Sequence, residues 1–76
     1  MTRSLYTIAK EINKDWKNVN YAARPYLDAM SVLDKITDSF CCDSGESIVI
    51  YFLNNASTWR GETARRIKAE LKQMLK

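Results

Sequence analysis

Apolar residues recur three or four apart through most of this chain, and the one stretch that reads locally as a strand has no second strand to pair with, so helices must build the core. The clearest helix lies at the C-terminal end. From Trp59 to Lys76, Ala64, Ile67, Leu71, Met74 and Leu75 keep helical spacing, while Arg65, Lys68, Lys72 and Lys76 line a different face. This is a basic amphipathic helix, capped by Ser57 or Thr58 and running to Leu75. Gly61 falls inside it, where glycine costs about 1 kcal/mol relative to alanine. A neighbouring helix or a ligand that comes close would account for it.

The other helices follow from the same spacing. Leu5, Ile8, Ile12, Trp16 and Val19 define a first helix over residues 3–18, with Lys10, Lys14 and Lys17 on another face. Asn18 and Asn20 tolerate the left-handed conformation that ends helices, and Pro25 suits a first helical position, where its missing N–H costs nothing. A second helix is predicted from Pro25 to Phe40. It would bury Leu27, Met30, Leu33, Ile36 and Phe40, with Tyr26 widening the stripe. Asp43 stands where it could cap the next helix, with Glu46 reaching back as in a capping box. Ile48 to Leu53 is apolar without period and rich in β-formers, yet a lone strand is not stable. The run is therefore read as a short buried helix, Ser44 to Asn55, followed by a turn at Asn54 to Ser57.

These elements predict an all-α fold, a small four-helix bundle with the short third helix buried in its middle, formed by residues 1–76 as a single domain. The expected core is Leu5, Ile8, Ile12, Trp16, Leu27, Met30, Leu33, Ile36, Ile48, Phe52, Ile67 and Leu71. Such a short chain buries a modest core, which leaves little room for the strained, unpaired groups that active sites use.

Charge is unevenly distributed along the chain. Residues 1–24 carry five positive and two negative charges, giving +3; residues 25–55 have Lys35 against Asp28, Asp34, Asp38, Asp43 and Glu46, giving −4; residues 56–76 have six positive and two negative, giving +4. Oppositely charged helices packed side by side would explain this, and so would a basic surface for an anionic partner.

Catalytic chemistry is sparse. The chain has no histidine, which removes the commonest general base and metal ligand. Its only cysteines, Cys41 and Cys42, are adjacent, too few for a zinc site and poorly placed for a useful disulfide. Cys42, before a predicted helix N-terminus, is the best nucleophile candidate, but it lacks a base partner. Glu62 and Glu70 read as solvated helix charges, with Glu62 and Arg66 an i,i+4 pair. The expectation is a protein that is not an enzyme and has no catalytic residues, metal or cofactor. Neither a signal peptide nor a membrane-spanning run is visible, so the expected location is the cytoplasm, with no membrane partner.

Tyr21 to Met30 (YAARPYLDAM), Asp43 to Asn55 (DSGESIVIYFLNN) and Trp59 to Leu75 (WRGETARRIKAELKQML) resemble a group of small helical proteins carried on prophages and conjugative elements of Gram-positive bacteria. The likeness covers most of the chain and implies an intracellular accessory protein of a mobile element; it transfers no catalytic residue. The leading functional expectation is a non-enzymatic module that binds another protein through Trp59, Arg60, Arg65, Lys68 and Lys72. Inhibition of a host defence nuclease would be one form of it. The alternative is nucleic-acid binding by the same basic helix. The third helix, its turn and the last helix have helix-turn-helix proportions, with Thr58, Arg60, Glu62, Thr63 and Arg66 near the end that would enter a groove. Self-association through exposed aromatic residues, giving a homo-oligomer, remains open.

Overall fold

A computed structural model describes residues 3–40 and 43–75. Among them are four helices: α1 (Leu5–Asp15), α2 (Arg24–Met30), α3 (Gly45–Asn54) and α4 (Glu62–Met74). Between α2 and α3 a two-residue antiparallel pair, β1 (Ser39–Phe40) and β2 (Asp43–Ser44), sets Ser39 opposite Ser44 and Phe40 opposite Asp43. The chain is thus mostly helical. α1 packs on both α2 and α4, and α2 packs on α3. In the order α4, α1, α2, α3, each helix leans on the next.

Of the predicted core residues, all but Ile36 are buried, and Ile36 is half-buried against the same cluster. Alanines 9, 23, 29, 56 and 64 complete that core with Val49 and Trp59. Trp16 and Trp59 stack with ring centroids 5.7 Å apart, and Phe52 meets both edge-on. Aromatic groups so arranged add about 0.5–1.5 kcal/mol per pair beyond area burial. They tie α1, α3 and the α3–α4 connector together.

α1 is shorter than its spacing predicts at both ends. Ser4 is extended, and its carbonyl accepts from the N–H groups of Thr7 and Ile8, while the first two N–H groups of the helix, on Leu5 and Tyr6, donate to the carbonyls of Asp34 and Leu33 at 2.8 Å each. Three donors that regular helical bonds leave unmet, those of Leu5, Tyr6 and Thr7, are satisfied in this way. At the other end Trp16 leaves helical geometry, which lets its ring enter the core. Asn20 does not close α1. Its carbonyl and side chain accept from Ala22, Ala23 and Arg24, opening the turn into α2.

The largest departure is α2, which ends at Met30 instead of running to Phe40. Ser31 donates its hydroxyl back to the Asp28 carbonyl, and Val32 and Leu33 make the tighter bonds to Ala29 and Met30 that close a helix. Beyond this point the Leu33 and Asp34 carbonyls serve α1, which a continuing α2 would not allow. Asp38 then folds the chain back by accepting from the N–H groups of Asp34 and Lys35. Leu33, Ile36 and Phe40 keep helical spacing by coincidence of a turn.

Ile48 to Leu53 is helical, as expected. Ser44, not Asp43, supplies the α3 cap: its Oγ accepts from the Ser47 N–H at 3.2 Å, which replaces the capping box to Glu46. Gly45, Ile48, Val49 and Phe52 face inward, whereas Ile50 and Tyr51 are 42% and 47% exposed. The helix therefore has a solvent side in spite of its uniformly apolar sequence.

α4 starts at Glu62, three or four residues later than a cap at Thr58 or Ser57 would begin it, because Gly61 stands at its N-cap with φ +116° and ψ 179°. That conformation is available essentially to glycine alone. Gly61 is thus outside the helix, and its conformation, not a crowding neighbour, explains it: a Cβ there would meet nothing within 4 Å. Gly45 is the opposite case. A Cβ at Gly45 would lie 2.7 Å from the backbone oxygen of Ile36.

Two alanine substitutions separate these causes. Gly45→Ala is expected to destabilise the fold by about 1–3 kcal/mol through overpacking, and Gly61→Ala by about 1–3 kcal/mol through backbone strain. Urea unfolding midpoints check both, with Ser57→Ala, an exposed position outside the helix, expected to stay within about 0.5 kcal/mol of wild type.

Candidate functional site

The five residues expected to bind a partner do converge, but they divide into two kinds. Trp59, Arg60, Arg65 and Lys68 line one open hollow of about 310 Å³ with Gly61 and Ala64. Lys72 follows Lys68 by one helical turn, and the two cations act on each other. The hollow lies along the flank of α4 that faces the α3–α4 connector.

Trp59 is a core residue. It is 2% exposed, it stacks on Trp16, and its Nε1–H donates to Asp15 Oδ2 at 2.8 Å. Lys68 is likewise engaged: its Nζ donates to the carbonyls of Ala56 and Trp59, both at 2.7 Å, and lies 5.9 Å from the Trp59 ring centroid. Burial lowers the Lys68 pKa, and the neighbouring charges of Lys72 and Arg60 lower it further. This lysine clamps the connector from α4 and leaves the rest of the hollow to others.

Arg60, Arg65 and Lys72 are exposed, and none has an ion-pair partner among the described residues. They form a positive strip in which no carboxylate of the described residues is within ion-pair distance. The opposite flank of α4 is electrically closed. There Arg3 donates through Nε and Nη2 to both oxygens of Glu70, at 2.9 and 2.6 Å, and through Nη1 to Glu11 at 2.7 Å; Arg66 also pairs with Glu11. Glu70 is therefore no solvated helix charge, and Arg66 reaches Glu11 on α1 in place of Glu62. The Arg3 guanidinium holds the Glu70 carboxyl below its usual range, and with Arg66 it does the same to Glu11.

This seam was missed in the sequence. The available signal was Arg66 and Glu70 sharing a flank of the last helix that the other cations do not use.

The helix-turn-helix arrangement does not hold either. Residues 55–61 form a longer connector than Asn54 to Ser57, α4 takes α1 as its main helical partner, and α3 takes α2. Arg66, one of the expected groove residues, is bound in the seam. Cys42 lies outside the described residues. Among those described, no group of three His, Cys, Asp or Glu residues is placed to hold a metal, and no helix is long and apolar enough to cross a membrane. Comparison of the chain with protein-family models, with curated proteins and with solved structures finds no match.

The seam gives the fold a pH dependence whose sign is set by its carboxylates. Glu11 and Glu70 have lower pKa values folded than unfolded, so their stabilisation is fully present above the unfolded value of about 4.3 and is lost as pH falls through the folded values. Thermal midpoints are expected to hold near neutral pH and to fall below about pH 4. Arg3→Met should flatten part of that acid loss and lower stability at pH 7 by about 1 kcal/mol.

Proposed function

We propose that the chain is a non-enzymatic protein-interaction module, an accessory factor of a mobile element, whose α4 flank docks on an acidic surface of another protein. The observation that carries this reading is how the cations are used. Arg3 and Arg66 are held by carboxylates and Lys68 by carbonyls, while Arg60, Arg65 and Lys72 are exposed with no ion-pair partner among the described residues. Like charges set side by side on a small domain oppose folding, and an acidic partner relieves that repulsion. Arginine also offers a planar fork suited to carboxylates, so two of the three groups favour a protein surface bearing Asp or Glu. The hollow beside them is open enough to receive a side chain.

Nucleic-acid binding by the same strip is the second reading, favoured by the charge alone. Three cations tracking phosphates would give a salt slope of about −3 in log K against log salt. Against it stands the placement of α3, which does not back α4 across a groove.

Immobilised protein exposed to cell extract is expected to retain an acidic protein that elutes as salt rises. The triple variant Arg60→Glu, Arg65→Glu, Lys72→Glu should lose that protein while keeping its circular dichroism spectrum. Equal retention by both forms would remove α4 from the interaction, and salt-sensitive binding to labelled duplex would move the assignment to nucleic acid.

A further inference from the structure

We infer that α3 carries a second docking face, and that its occupant is the α4 flank of another copy of this chain. The inference rests on the reading of that flank as a docking surface, and names its partner.

The solvent side of α3 is unusual for a helix end of a small domain. Ile50 and Tyr51 are both more than two-fifths exposed, and Tyr51 lies against half-buried Tyr26 of α2 with ring centroids 5.4 Å apart. The two phenol rings lie in contact, tilted 32° to one another, and present one aromatic surface. Glu46 is exposed one turn before Ile50, and Asp43 is exposed just ahead of the helix. α3 itself holds no lysine or arginine, and residues 25–55 together carry −4.

Tyrosine faces and carboxylates are what an unpartnered arginine cluster recognises, the first by stacking and cation–π attraction, the second by paired hydrogen bonds. The α4 strip of Arg60, Arg65 and Lys72 supplies that cluster. Among the described residues no ion pair joins the strip to the α3 face within one molecule, where α3 packs chiefly on α2 and α4 on α1. Complementarity between two different faces of one chain makes the contact heterologous, so each molecule that docks leaves one face of each kind free at the ends. Short helical faces bury less than a standard interface, so the association is weak and salt-sensitive.

Sedimentation of the full chain over a hundredfold concentration range tests this. At low salt the weight-average mass is expected to rise with concentration, and at high salt to return to that of the monomer. Tyr51→Lys and the double variant Arg65→Glu, Lys72→Glu should each sediment as monomers, whereas their equimolar mixture, with one intact face of each kind, should form a dimer and grow no further. Ile50→Lys serves as an independent block of the α3 face, and circular dichroism confirms that each variant is folded. A wild-type chain that stays monomeric, or a mixture that fails to dimerise, overturns the inference. If the chain is monomeric but retention of an acidic protein still requires Arg65 and Lys72, only self-association falls; if neither depends on those residues, the docking role of α4 falls with it.

Discussion

Two backbone carbonyls, those of Leu33 and Asp34, occupy the position on which the rest of the fold depends. They accept from the first two N–H groups of α1, which no side chain caps. An unmet buried donor costs about 1–3 kcal/mol, so the segment that delivers these carbonyls is held to one path. α2 must stop before them, and Asp38 must turn the chain behind them. Gly45 donates to the Asp38 carbonyl at 2.6 Å while passing against the Ile36 oxygen, and so enters α3 at a point fixed by the start of α1. One end of one helix thereby sets the length of a second and the origin of a third.

This dependence explains what was readable in the chain. α1, α3 and α4 were legible because their signals are local: apolar residues at helical spacing, and for α3 the absence of any strand to pair with Ile48 to Leu53. The end of α2 was not. Leu33, Ile36 and Phe40 continue the spacing of Leu27 and Met30, and nothing within ten residues says that the intervening carbonyls are needed by α1. Ser44 and Asp43 are both good caps, and the choice between them is made by the strand pair that presents Ser44 to Ser47. Gly61 stands out in the sequence by its poor helix propensity, but its place at the cap is not legible there, because a positive φ leaves no periodic trace.

At the candidate site the residue types were legible and their allocation was not. Sequence shows that the last helix is basic, but not which cations are already bound. Arg66 and Glu70 are distinguished from Arg65 and Lys72 only by neighbours 55 and 67 positions away, Glu11 and Arg3. Lys68 belongs by pattern to the basic face, yet folding assigns it to the carbonyls of Ala56 and Trp59. Trp59 likewise joins the core because Trp16 turns out of α1 to meet it. What is left over after these assignments, three cations on one flank, is the part of the helix free to act on something else.

The Arg3–Glu70 pair also sets a timetable. Arg3 is made 67 residues before its partner, an interval of about 3–13 s at ordinary rates of synthesis. Helices form in about a microsecond or less, so α1 has time to form and melt many times before α4 can cover it. During that wait Leu5, Ile8 and Ile12 have α2 but not α4 to pack against, and the turns of α4 complete the shelter. Until Glu70 and the turns beside it are made, the apolar flank of α1 that α4 covers stays open to capture by a chaperone.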